Sequence, residues 1–233
     1  MPTKPVKRFT AWSYSRLGDY NQCPLRARLK HLDRVAEPGS PAMDRGAEIH
    51  EAAAAYVGGS VSRLHKELKL FKKELAALRK AHAAAPMLIE RQWAFTATWR
   101  PADWFGKDAW CRMVLDLAYI QEPKKKTEPR VLHIIDYKTG RVRADEQRPQ
   151  LSLYALGGFL TVPEVQQVHA HFWYTDHGET VNEVFNFAQL GVLKKEWQGR
   201  VAPLFKDTKF APRPSDKCRW CHYSKAKAGL CKF

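Results

Sequence analysis

The stretch "HIIDYKTG", residues 133–140, ends an apolar run with an aspartate and a lysine two positions apart. In an extended strand successive side chains alternate faces, so Asp136 and Lys138 share one face and Tyr137 takes the other. A second acid, Asp116, stands in "MVLDLAY", where a lone carboxylate is costly to bury unless it is paired or binds a cation. Two acids brought together by neighbouring strands repel each other unless a cation lies between them. Carboxylate oxygens with positions left for water are the donor set that Mg2+ or Mn2+ takes. The chemistry is then metal-assisted phosphodiester hydrolysis, in which the cation polarises the phosphoryl group and acidifies a bound water. Lys138 would orient that water or stabilise charge on a phosphate oxygen. The bland alternative is a buried Asp–Lys ion pair, with Asp116 bonded to backbone amides.

Further groups flank this pair. His50, in "RGAEIHEAA", sits on a helix of small residues and offers a nitrogen ligand, although a lone helical histidine is ordinarily a surface or satisfied core group. Glu90 opens the first strand and offers another carboxylate. Gln150 and Tyr154 lie four apart, on one helix face just after the Asp–Lys strand, placed to contact a scissile or adjacent phosphate.

Positioning such groups takes a sheet with helices around it. "AWSYSRLGDYNQCPLRARLKHL" has a capping serine and helical spacing, with a break or restart at Pro24. "AMDRGAEIHEAAAAYV" reads as an alanine-rich helix. "SRLHKELKLFKKELAALRKAHAAA" puts Leu64, Leu68, Phe71, Leu75 and Leu78 on one face and lysines on the other. From Pro86 the texture turns to β-branched and aromatic residues. Strands are expected in "MLIERQWAFTATW", "AWCRMVLDLAYI" and "RVLHIIDY", joined as a meander by "PADWFGKD" and "EPKKKTEP". A helix follows in "DEQRPQLSLYALGGFL", with a boundary at the pre-proline Arg148. A fourth strand, "EVQQVHAHFWYT", and a late helix, "FAQLGVLKKEWQGRVAPLF", complete the order. The expected fold is one α/β domain over 1–233: a helical part at 12–85, a catalytic core at 86–205 and a cysteine-rich segment at 206–233.

Composition narrows the partners. Of 233 residues, 45% are hydrophobic, ample for a core, yet no apolar run approaches the ~20 residues of a membrane span. "MPTKPVKRFTAWSY" is basic and lacks the apolar stretch of a secretory leader, so a cytoplasmic protein of a bacterial or phage-infected cell, without membrane contact, is expected. A formal charge of +15 points to a polyanion, DNA or RNA, and the basic residues are spread along the chain as on a binding surface. Eight tryptophans and eight tyrosines supply core packing and stacking platforms for unpaired bases.

Five cysteines in such a chain do not suit a disulfide framework. Cys218, Cys221 and Cys231 stand in a basic tail too poor in apolar residues to pack alone, and a metal would order it. Cys23 is the candidate fourth ligand, and Cys111, in a strand, reads as core.

The order "GAEIH", strand glutamate, "VLD", "IIDYK", "QLSLYA" resembles the RecB-type branch of the PD-(D/E)XK nuclease superfamily, over residues 12 to 231. The resemblance implies a restriction-endonuclease-like mixed sheet flanked by helices. It implies metal binding by His50, Asp116 and Asp136, with Glu90 as an added ligand, catalysis assisted by Lys138, and a DNA-orienting helix carrying Gln150 and Tyr154. Met113 departs from the glycine often found three before the first acid, and Asp136 stands for the commoner glutamate. The cysteines resemble the AddB-type and CRISPR-associated RecB-like nucleases, where one cysteine before the core and three after it hold a structural [4Fe–4S] cluster. That implies Cys23, Cys218, Cys221 and Cys231 as ligands, although the nine-residue last spacing exceeds that of those relatives. Zinc on the same cysteines, or with His222 replacing one, is the rival.

The expected activity is an exonuclease on DNA ends, favouring single strands, in phage biology, repair or recombination. A structure-specific endonuclease is the first alternative. A DNA-binding subunit of a recombination or repair complex, with a weak or partner-dependent site, is the second. Homo-oligomerisation and partner proteins stay open.

Overall fold

The structure, a computed structural model, describes residues 7–233; the first six residues of the basic N-terminal stretch lie outside it. Helix α1 (Tyr14–Gln22) starts where the Ser13 hydroxyl accepts from the Arg16 N–H. Pro24 ends it, and α2 (Pro24–Ala27) restarts the chain, followed by a π turn at Arg28–Leu32. Helix α3 (Pro41–Val57) is capped by Ser40, with proline at its first position, where the missing N–H has no partner to lose. The next stretch begins as a 3-10 turn (Lys66–Phe71) before α4 (Lys72–Ala84). Strands β1 (Leu88–Phe95), β2 (Pro101–Ala102), β3 (Cys111–Gln121) and β4 (Val131–Lys138) lead to α5 (Ala144–Thr161). Then come β5 (Gln167–Tyr174), β6 (Glu179–Asn186) and α6 (Leu190–Lys206).

The six strands form one mixed sheet in the order β2-β1-β3-β4-β5-β6. β4 and β5 are parallel, as a helical crossover through α5 requires, and the other neighbours are antiparallel. The meander β1-β3-β4 is as the sequence suggests. Two strands are additional: the two-residue β2 inside the "PADWFGKD" loop and the edge strand β6. The latter is polar and mostly exposed, so it lacks the apolar run that marks a strand. The expected boundary at Arg148 is corrected, since α5 runs through Pro149. The proline lies in the second turn of the helix, and its carbonyl accepts from the Ser152 hydroxyl at 2.8 Å.

Each face of the sheet carries its own core. Ile49, Ala53 and Val57 of α3 and Leu75 and Leu78 of α4 meet Leu117, Ile135, Tyr137 and Trp173 on one side. On the other, α5 and α6 cover Met113, Leu132, Ile134, Val168 and Phe172. Gly157 and Gly158 let α5 lie directly on this face. A Cβ at Gly157 would stand 2.6 Å from the Met113 sulfur, and one at Gly158 2.7 Å from Leu132.

The alternation of side chains breaks at one row of the sheet. Leu88 pairs with Ala118, which pairs with Ile134 on the α5 face. Five residues further along β1, Trp93 pairs with Met113, and both again touch α5 at Gly157. An even and an odd position cannot share a face in a regular strand, so β1 and β3 each switch faces between these rows. Among the rows between, only the one at Glu90 and Asp116 has no regular pairing, and Glu90 has a left-handed φ of 48°. A non-glycine residue held there is strained by about 1–3 kcal/mol.

The chain ends are sewn together at one end of the sheet. The Trp12 N–H donates to the Trp110 carbonyl and the Arg112 N–H to the Trp12 carbonyl, bridging the N-terminal segment to the start of β3. Trp12 stacks on Trp197 of α6. Tyr20 donates to Asp207, Arg213 donates to the Asn21 carbonyl, and Tyr223 donates to the Val35 carbonyl. Among the described residues no helix is long and apolar enough to cross a membrane.

Candidate active site

Asp116 and Asp136 stand on adjacent strands and are both buried, at 7% and 4% exposure. Each is compensated differently. Asp116 accepts the Tyr137 backbone N–H on Oδ2 at 2.8 Å and faces His50 Nδ1 across 3.2 Å with Oδ1. His50 reaches it from α3. Asp136 accepts the Tyr154 hydroxyl at 2.5 Å and the Gln150 amide at 3.3 Å on Oδ1. Its Oδ2 lies 2.6 Å from the Lys138 ammonium, off the line of a hydrogen bond, and has no aligned donor. Lys138 in turn donates to Gln150 at 2.9 Å and sits over the Phe172 ring.

Glu90 enters from β1. Its ligand oxygen, a His50 nitrogen and an Asp116 oxygen all lie within 4.8 Å of one another, and no other trio of His, Cys, Asp or Glu among the described residues is so close. The sequence offered Glu90 only as an added carboxylate; its left-handed backbone gives no signal in composition or spacing. The anticipated ligands thus divide: His50, Glu90 and Asp116 converge, whereas Asp136 is engaged by Lys138, Gln150 and Tyr154.

The electrostatics follow from crowded acids. Burial, against the Lys138 charge and with the Asp116 charge, raises the Asp136 carboxyl above its ordinary value. Burial and then the Asp116 charge also raise Glu90. Burial pulls the His50 imidazole down, but its hydrogen bond to Asp116 and that charge outweigh it, and the net direction is up. Tyr154, pushed up by burial and by Asp136, remains a hydrogen-bond donor.

This donor set fits a divalent cation. Two carboxylates and an imidazole converge, the buried Asp136 Oδ2 beside them has Lys138 at ion-pair distance but no aligned donor, and hard oxygen ligands with one nitrogen suit Mg2+ or Mn2+. Residues 11–226 match the family described as the PD-(D/E)XK nuclease superfamily. The chain belongs to this superfamily. Among solved structures, this nuclease-family chain is similar to SSO0001, with 12% identity over 94% of this chain and 86% of that one and a TM-score of 0.44. It is also similar to a protein from Eubacterium rectale named as a candidate exonuclease, with 12% identity over 92% and 88% and a TM-score of 0.49. No curated protein sequence matches it.

The cysteines form a separate site. Cys23, between α1 and α2, lines one cavity with Cys218, Cys221 and Cys231 from the C-terminal tail. The Arg213 N–H donates to the Cys23 sulfur and the Ser215 N–H to the Cys218 sulfur, both at 3.4 Å, while Arg26 reaches Cys221 at 3.9 Å. Asp19, whose hydrogen bonds and charge contacts with His31, Lys30 and Arg26 outweigh burial and hold its carboxyl at about 2, anchors that arginine. Cys111 is fully buried in the core, and burial pushes its thiol up. His222 does not line the cavity.

Mn2+ titrated calorimetrically into the protein should bind, and Asp116→Asn should weaken that binding at least about tenfold, the scale of losing one charged ligand contact. Unchanged affinity in Asp116→Asn would remove this carboxylate from the metal site.

Proposed function

We propose that the protein is a Mg2+- or Mn2+-dependent deoxyribonuclease, a single RecB-like domain that hydrolyses phosphodiester bonds from DNA ends with a preference for single strands. The observation that carries this reading is the convergence of His50, Glu90 and Asp116 beside the buried Asp136–Lys138 pair. Superfamily membership supports phosphodiester hydrolysis, and the net charge of +15 supports a nucleic-acid substrate.

In this reading Asp116, Glu90 and His50 would hold the cation, and Asp136 would add Oδ2, the oxygen that faces Lys138. The bound ion supplies charge stabilisation at the phosphate and a more acidic water. Lys138 orients the attacking water and donates to a phosphate oxygen as negative charge develops there. Gln150 accepts from the Lys138 ammonium and fixes its direction, while Tyr154 holds Asp136 Oδ1 so that Oδ2 faces the site. Strain at Glu90 is compensated when its carboxylate gains a cation.

The same reading assigns a structural [4Fe–4S] cluster to Cys23, Cys218, Cys221 and Cys231. Four thiols around one cavity, with N–H donors on three of the sulfurs, are a donor set for such a cluster. Zinc on the same four sulfurs is the rival reading. The cluster would lock the chain's two ends at a place where few apolar residues do so.

Two experiments test these assignments. Linear single-stranded DNA should be degraded to short products in Mn2+, and covalently closed circular single strands should survive. Cutting of circles would replace the exonuclease with the structure-specific endonuclease, and no cutting of either would favour a partner-dependent subunit. Protein purified without oxygen should contain iron and acid-labile sulfide, and Cys218→Ala should lose both and melt at lower temperature. A Cys218→Ala protein as stable as wild type would rule out a structural cluster there.

A further inference from the structure

A cleft of about 590 Å³ opens beside the Asp136–Lys138 pair, and Lys138, Gln150 and Tyr154 are part of its lining. Another part of the lining comes from segments the nuclease motifs do not include. Arg16 comes from the first turn of α1, Arg112 from the start of β3, and Trp104 from the loop between β2 and β3. The bridge of Trp12 to Trp110 and Arg112 brings these segments side by side.

The chemistry of this part is unusual for a surface without a ligand. Arg16 and Arg112 are both half-buried, and neither has a carboxylate partner among the described residues, although most other shielded arginines of the chain do. Arg16 donates to the Ala11 carbonyl at 3.3 Å, and Arg112 donates to the Trp104 carbonyl at 2.7 Å. Each guanidinium therefore keeps donors to spare. Burial, and after it the charges of Arg112 and Arg34, lower the Arg16 guanidinium below its ordinary value. Two such cations are stabilised by an anion between them, and a guanidinium fork suits phosphate. Trp104 lies beside Arg112, with the guanidinium 5.9 Å from its ring centre, and its neighbour Phe105 is 90% exposed. Trp104 is half-buried and lines the cleft, and aromatic rings set among arginines are what an unpaired strand binds, bases on the rings and phosphates on the cations.

We propose that this cleft is the subsite for the unpaired nucleotides next to the scissile phosphate. Arg16 and Arg112 hold the flanking phosphate, and Trp104, with Phe105 beside it, stacks an unpaired base. The proposal rests on the nuclease reading, in which Lys138 in the cleft's lining marks where the scissile phosphate lies. It gives the single-strand preference a physical cause: a base still paired in a duplex cannot lie on Trp104.

The test is the affinity of labelled oligo-dT by fluorescence anisotropy in EDTA, where nothing is cut, with duplex of the same length in parallel. Arg112→Gln and Trp104→Leu should each weaken oligo-dT binding about tenfold, within the range for losing a stacked base or a phosphate contact. Arg112→Gln should also reduce the salt slope by about 1. Trp104→Leu should leave duplex binding unchanged. Lys195→Gln, which removes one charge on α6 outside the cleft, sets the background. If Arg112→Gln does not fold, Arg16→Gln carries the same test, because its side chain holds a single carbonyl. The proposal is overturned if the variants bind oligo-dT like wild type, if Lys195→Gln weakens binding as much, or if wild type does not bind oligo-dT. A protein that cuts DNA but is indifferent to these changes refutes the subsite alone. One that loses binding in the variants yet never cuts DNA refutes the nuclease reading and leaves the subsite standing.

Discussion

Two buried carboxylates on adjacent strands are the constraint from which the rest of this molecule follows. Asp116 and Asp136 raise each other's energy, and neither could remain charged in an apolar sheet without compensation. A backbone N–H and His50 answer Asp116; Lys138, Gln150 and Tyr154 answer Asp136. The N–H and Lys138 belong to β4 itself, while His50 comes from α3 on one face of the sheet and Gln150 and Tyr154 from α5 on the other. The layers of the fold are therefore also the two halves of the site. The compensation is incomplete, because one Asp136 oxygen lacks an aligned donor and Glu90 adds a further acid nearby. A site arranged for stability alone would pair these groups or replace them. One arranged for a cation leaves this surplus of negative charge.

The face switch at Glu90 and Asp116 is the geometric counterpart of that surplus. In a regular sheet, alternation alone would govern where the Glu90 and Asp116 carboxylates point. The left-handed turn at Glu90 breaks the alternation at the row where the carboxylates are needed, and both strands resume with the opposite phase. Within β1 and β3 the left-handed strain thus falls at this row, while Leu88 and Ala118 before it and Trp93 and Met113 after it pack normally against α5's side.

Much of this arrangement is legible in the chain because it is written in short-range pattern. The meander, the α5 crossover and the spacing of Asp136, Lys138, Gln150 and Tyr154 all depend on periodicities of two and of about four residues. What is illegible depends on long-range partners or on backbone torsion. The polar β6 is a strand only because β5 offers it an edge. Helix α5 continues through Pro149 because tertiary packing outweighs one lost hydrogen bond. Arg16 and Arg112 are nearly a hundred residues apart in sequence and become neighbours only through the pairing at Trp12. The role of Glu90 depends on a torsion angle that its residue type does not announce.

Lys138 is where the metal-site account and the ion-pair account part most cleanly, because it touches Asp136 but is not among the converging ligands. The decisive measurement is Mn2+ affinity and cleavage of linear single-stranded DNA, made on the same preparation of Lys138→Ala. The account predicts Mn2+ binding within a few-fold of wild type and cleavage reduced by at least about a hundredfold, the scale of one lost electrostatic stabiliser in a reaction. Cleavage retained in a folded Lys138→Ala protein would contradict it, and the Asp136–Lys138 pair would then be a structural ion pair.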